Sequence, residues 1–115
     1  MEYRKPTSDE SRLLQELATI AGMKDPQAWL ETLQVMDMDD GGMGSLELVA
    51  PGLSHGSSRK ALVCKAAVQF VDADGVEVIA SLNAREDGVP FELDLWKTDF
   101  SRLIAIPNSF RRVEE

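Results

Sequence analysis

The sequence predicts an α+β domain: two N-terminal helices packed on one face of a four- or five-stranded antiparallel sheet. Three observations predict it. Near the N-terminus, apolar residues recur at helical spacing behind residues suited to capping. From Ser45 onward the apolar residues fall at every second position, as in strands with one buried face. Segments rich in Asp and Gly separate these runs, as turns require.

The clearest pair of runs lies between Val78 and Phe100. Val78, Ala80 and Leu82 share one side of the first, opposite Ile79, Ser81 and Asn83. In the second, Phe91, Leu93 and Leu95 point one way while Glu92, Asp94 and Trp96 point the other. The pattern describes the middle of a sheet with one apolar and one mostly polar face.

Taken in order, residues 1–6 form a tail. Thr7 and Glu10 stand in the spacing of a reciprocal N-terminal cap, followed by Leu13, Leu14, Leu17 and Ala21, with Gly22 placed to end the helix. Asp25 caps a second, shorter helix that has Pro26 in its first position and carries Trp29 as an anchor between helix and sheet. Residues 33–38 suit either a first strand or the end of that helix. The turn Asp37-Met38-Asp39-Asp40-Gly41-Gly42-Met43-Gly44 leads into a strand over 45–49 with Leu46 and Leu48 on one face. Residues 50–60 are small, polar and rich in breakers, so they read as a loop. A long strand over 61–71 follows, with Leu62, Cys64, Ala66, Val68 and Phe70 inward, and Asp72-Ala73-Asp74-Gly75 closes a hairpin. The strand from Val76 loses its pattern after Asn83, and a loop runs to Pro90. After Lys97, Leu103, Ile104 and Ile106 tuck under the sheet, and residues 108–115 read as a loose end.

Composition bounds the function. The 115 residues make one domain, with 43% hydrophobic and 28% charged residues, ordinary for a globular protein. A net charge of −8 and a pI near 4.6 argue against nucleic acid or an anionic membrane as the main partner and suit a basic protein partner. The lone Cys64 allows no internal disulfide and fits a reducing compartment. No apolar run approaches the roughly twenty residues of a membrane span, and the opening MEYRKPTSDE lacks the apolar core of a secretory signal. The expectation is a cytoplasmic protein.

Few residues carry chemistry. Gly41-Gly42-Met43-Gly44 lacks the Lys and following helix of a phosphate-binding loop, and the Asp residues before it would repel phosphate, so it reads as a turn. Asp37, Asp39 and Asp40, and Asp72 with Asp74, lack the full ligand spacing of a calcium loop, so no metal or cofactor is expected. Glu92 and Asp94 share a strand face about 7 Å apart, a spacing that permits acid–base work only where one carboxyl is desolvated. His55 stands among Ser54, Ser57 and Ser58 without a fixed third partner, and Cys64 reads as a small core residue. Trp96 shares its face with two acids. Either the 103–106 segment covers it, or it is an exposed aromatic anchor ringed by carboxylates.

The segments Met38-Asp39-Asp40-Gly41-Gly42-Met43-Gly44-Ser45-Leu46, Ser81-Leu82-Asn83 and Phe91-Glu92-Leu93-Asp94-Leu95-Trp96-Lys97-Thr98-Asp99-Phe100-Ser101, with Asp72, Asp74, Gly75 and Val76 between the first two, carry a resemblance. The chain resembles a family of small uncharacterised bacterial proteins, catalogued as a domain of unknown function. The likeness spans roughly residues 8–107 and implies a shared fold; it brings no activity with it. By analogy with small acidic proteins found beside secreted toxins, the leading expectation is an immunity protein that binds and occludes a basic toxin. Its partner-binding residues would be Asp39, Asp40, Glu92, Asp94 and Trp96. The alternatives are a small carboxylate-based or metal-dependent enzyme using Asp39, Asp40, Glu92 and Asp94, or a ligand-sensing accessory domain.

Overall fold

Thr7 starts the first helix, α1 (Ser8–Ile20), by a reciprocal exchange. Its hydroxyl accepts the Glu10 N–H at 3.1 Å, and the Glu10 carboxylate accepts the Thr7 N–H at 2.9 Å. Two amides that have no partner inside the helix are thereby satisfied. Leu13, Leu14, Leu17 and Ala18 are buried along one stripe, and Ala21 packs at its margin. In α2 (Pro26–Thr32) the Asp25 carboxylate accepts the Ala28 N–H at 3.1 Å. This helix buries no residue completely: it lies against α1 and lends the half-buried Trp29 and Leu30 to the edge of the core. The computed structural model describes residues 2–50, 63–85 and 88–113.

Among these residues six strands form one antiparallel sheet: β1 (Gln34–Asp37), β2 (Leu46–Val49), β3 (Val63–Val71), β4 (Glu77–Ala84), β5 (Pro90–Lys97) and β6 (Arg111–Arg112). Their spatial order is β1-β2-β5-β4-β3-β6. The α+β class holds, with one strand more than expected. The extra strand is β6, from the segment read as a loose end: Arg111 and Arg112 pair with Gln69 and Val68 on β3, while the Phe110 ring meets Phe70 edge-on at 5.8 Å. Residues 34–37 settle as a strand rather than a helix end. The N-terminal segment is also tied down. Arg4 exchanges backbone hydrogen bonds with Val35, and its guanidinium pairs with Glu10 and Asp37, both at 2.8 Å.

The alternation of β4, and of β5 from Leu93 onward, is as the sequence predicts. Phe91, expected inward, is only half-buried and outside the core, because a register shift pairs Asn83 with Glu92 and Ala84 with Pro90, skipping Phe91. The Arg85 guanidinium lies over the Phe91 ring at 5.8 Å. Val78, Ala80, Leu82 and Ala84 join Leu93 and Leu95 on the buried face, where α1 packs over β3 and β4. A fully buried leucine contributes about 1.5–3 kcal/mol through this burial, so the face is the main source of stability. In β3 one inward assignment is wrong. Cys64 is exposed, because a register shift between Cys64 and Ala66 breaks the two-residue alternation of β3. Ala66, Val68 and Phe70 keep their inward places. Leu62 and the loop around His55, Ser54, Ser57 and Ser58 lie outside the described residues.

After β5 the chain folds back beneath the sheet on its buried side. Leu103 and Ile106 pack on the core, but Ile104 is exposed. Arg12 of α1 donates to the carbonyls of Ile106 and Pro107 at 2.9 Å each, fixing this segment to the helix.

Candidate protein-binding face

The face of the sheet opposite α1 carries the residues singled out by their alternation. The pairing register sets them in three rows. Gln69, Ile79 and Trp96 make one row across β3, β4 and β5, and Ala67, Ser81 and Asp94 make the next. Asn83, Glu92 and Glu47 make a third across β4, β5 and β2. Rows two residues apart on a strand are about 7 Å apart. The middle row therefore has a small floor, Ala67 and Ser81, between bulkier rows, with the Asp94 carboxylate at its end.

Glu92 is held by Asn83, whose amide donates to it at 2.8 Å. Asp94 has one side-chain hydrogen-bond partner among the described residues, the Ser45 hydroxyl at 3.5 Å. Partial burial, then the nearby charge of Glu92, and also that of Asp40, push the Asp94 carboxyl above the usual range; the Ser45 hydroxyl opposes them. Three carboxylates thus feel one another at this end of the sheet. A positive group would relieve them.

Trp96 is exposed over half its surface, so the 103–106 segment does not cover it. Its neighbour is instead Phe100, whose ring centroid lies 6.0 Å away with the planes inclined at 32°. Phe100 is itself 67% exposed and holds a left-handed backbone, φ 64°, the only non-glycine residue to do so among the described residues. Alternation does not single out Phe100 in the sequence. Its signal was weak: a lone aromatic after Thr98-Asp99, in a turn that alternation does not describe.

The acidic turn plays two parts. Asp39 is exposed. Asp40 turns inward along the loop, where its carboxylate accepts the N–H groups of Met43 at 3.1 Å and Ser45 at 2.9 Å. Asp40 is therefore first a brace for the turn, and only its charge reaches the face. Ser45 is buried; its hydroxyl accepts the Leu95 N–H at 2.9 Å, joining the turn to β5. The turn reading of the glycines holds. Gly44 has φ +98°, and a Cβ there would stand 2.9 Å from both Leu95 and Leu103.

Beneath Trp96, on the opposite side of β5, is a feature that alternation could have indicated: Lys97 follows Leu93 and Leu95 inward and is fully buried. Its ammonium donates to Asp74 at 2.6 Å and to the Arg102 carbonyl at 2.9 Å, and lies 2.9 Å from Asp72. Burial alone would raise the Asp72 carboxyl, but Lys97 and the N–H groups of Ile104, Ala105 and Ala73 bring it down to about 2. The Asp72 carboxylate thereby holds the 102–105 segment, and Leu103 in turn donates its N–H to Gly42 in the acidic turn at 3.0 Å.

Among the described residues, no three His, Cys, Asp or Glu side chains stand together as a metal site, and no helix is long and apolar enough to cross a membrane. No curated protein and no solved structure matches the chain. A family model described as a domain of unknown function, DUF6984, matches residues 3–107, which include the turn, both central strands and the buried Lys97. The chain belongs to this DUF6984 family.

Proposed function

We propose that this protein is a non-enzymatic binding module that docks on a basic protein through the open face of its sheet. In its most concrete form it is a cytoplasmic immunity protein that neutralises a toxin by covering its site. The observation that carries this reading is Trp96, half exposed on a strand beside Glu92 and Asp94 on the face away from α1. A large aromatic is stable in such a place without function only at the cost of wetted apolar surface, and aromatics are enriched among the anchors of protein interfaces. The charge of the whole chain, −8, supports a basic partner and fast encounter with it.

The test is binding kinetics against the product of the neighbouring gene at two ionic strengths, with survival on co-expression as the cellular readout. Reversal of Asp94 to Lys slows association and flattens its salt dependence, whereas Trp96→Ala speeds dissociation. If wild type and both variants bind alike, the open face is not the interface.

A second reading draws on the raised Asp94 carboxyl, since a general acid needs such a shift. It makes the protein a small carboxylate-based enzyme. Any hydrolytic activity that Asp94→Asn abolishes, with a pH profile set by one carboxyl, would favour it over binding.

A further inference from the structure

Three exposed or half-exposed groups on the open face have complementary demands. The Trp96 and Phe100 ring centroids lie 6.0 Å apart with their planes inclined at only 32°, and both rings are exposed, so they form one aromatic patch. Asp94 stands two residues from Trp96 on the same strand face, about 7 Å away. The floor between them and the neighbouring strands is small, because Ser81 pairs with Asp94 and Ala67 pairs with Ser81. The aromatic surface draws a cation through the ring quadrupole, and the carboxylate draws the same cation through charge and hydrogen bonds.

We propose that Trp96, Phe100 and Asp94 form a seat for one arginine side chain of the partner protein. The guanidinium lies flat on the aromatic pair and turns its N–H edge toward the Asp94 carboxylate. A planar, delocalised cation can stack and donate sideways at once. A lysine ammonium is a compact point charge and cannot do both over this span. The backbone at Phe100 supports the assignment: a bulky residue in the left-handed region is held against its preference, and the ring so placed is exposed and lies against Trp96. The seat rests on the open-face reading above and makes it specific about the partner's chemistry.

The test uses two capped tripeptides, glycine-arginine-glycine and glycine-lysine-glycine, titrated into the full chain and followed by two-dimensional NMR. The indole N–H of Trp96 and the amides of Ser81 and Asp94 move together, saturating in the millimolar range, and arginine binds about threefold or more tighter than lysine. Asp94→Asn and Phe100→Gly each weaken arginine binding about threefold, while the rest of the spectrum stays in place. Equal responses to both peptides, spread over acidic positions such as Asp9 and Glu16 on α1, would mean that net charge alone attracts them and would overturn the seat. A neighbouring-gene product that binds wild type and Phe100→Gly equally well overturns the seat while leaving the open face as the interface. Arginine-selective shifts at Trp96, with no protein bound by the same face, uphold the seat and remove the immunity reading.

Discussion

The Lys97 ammonium lies 2.9 Å from the Asp72 carboxylate, and neither side chain has any exposed surface. A buried charge whose partner is removed remains in a medium that cannot solvate it, and such losses cost about 3–5 kcal/mol. Lys97→Ala and Asp72→Ala should each lower the unfolding free energy by that order, as read from denaturant titration. Asp72→Ala should be the worse, because it also leaves the amides of Ile104, Ala105 and Ala73 without their acceptor. Asp74, one-third exposed, should cost about 1 kcal/mol or less as Asp74→Ala. Equal losses at all three positions would contradict the pairing described.

Acid should unfold the protein through Asp72. Its folded value of about 2 lies below the ordinary carboxylate range near 3.9. A depressed carboxyl stabilises the fold above its unfolded value, and that contribution is lost as pH falls through the folded one. Stability should therefore decline between about pH 4 and pH 2. Glu10 adds to the decline in the same direction: burial would raise it, but Arg4 and the Thr7 amide lower it. Thermal midpoints of wild type and Asp72→Asn, measured from pH 6 to pH 2, should converge at the acid end.

Asp94 has the opposite sign. Its carboxyl is raised by burial, by Glu92 and by Asp40, so ionising it costs stability, and protonation returns that stability at low pH. Asp94→Asn should therefore raise the thermal midpoint at pH 7 and leave it nearly unchanged well below the carboxylate range. It should at the same time weaken partner binding. A gain in stability with a loss of binding is the behaviour of a charge kept for recognition.

Phe100→Gly offers a related test at the aromatic end. A non-glycine residue in the left-handed region costs of order 1–3 kcal/mol, which glycine does not incur. The ring is 67% exposed, so its removal forfeits little buried area. The variant should be as stable as wild type or more so by about 1 kcal/mol, as read from denaturant midpoints. A marked loss would show that the ring holds the turn together.

The central strands were legible because each has one wet and one dry face, and the period of two follows directly. Helix starts were legible from Thr7, Glu10 and Asp25, whose capping roles depend on neighbours three residues away, and from Pro26, whose fixed φ suits the first helical position. Cys64 escapes the alternation because a single irregularity in β3 puts the residues before Ala66 out of phase with those after it, and nothing in the residue types marks it. The Lys97–Asp72 contact joins residues 25 positions apart in the chain and defies the usual placement of charge, so only the fold displays it. Trp96 was the honest ambiguity: its face was evident, but its exposure depends on where residues 98–106 run. Asp40 showed its charge in the sequence and hid its role as a brace.

Gly44 is where the family turn meets the core. With φ +98° and two leucine methyl groups 2.9 Å from any added Cβ, Gly44→Ala should cost about 2 kcal/mol or more. Gly41 also has positive φ, but nothing lies within 4 Å of an added Cβ, so Gly41→Ala should cost about 1 kcal/mol. Chemical denaturation of the two variants in parallel checks the order. Equal losses would mean that backbone conformation alone, and not packing against Leu95 and Leu103, fixes the glycine.

The strand order also governs how the chain must assemble during synthesis. β5 lies between β2 and β4, so among the described residues it is the strand that joins the β1–β2 hairpin to the β3–β4 hairpin. Until residues 90–97 emerge from the ribosome, the two hairpins share no hydrogen-bonded edge, and each leaves a strand open to strangers. Their joining then closes loops of more than forty residues between Leu46 and Leu93, a slow event for a chain this small. A nascent chain halted just before Pro90 should be the form most readily captured by chaperones or lost to aggregation.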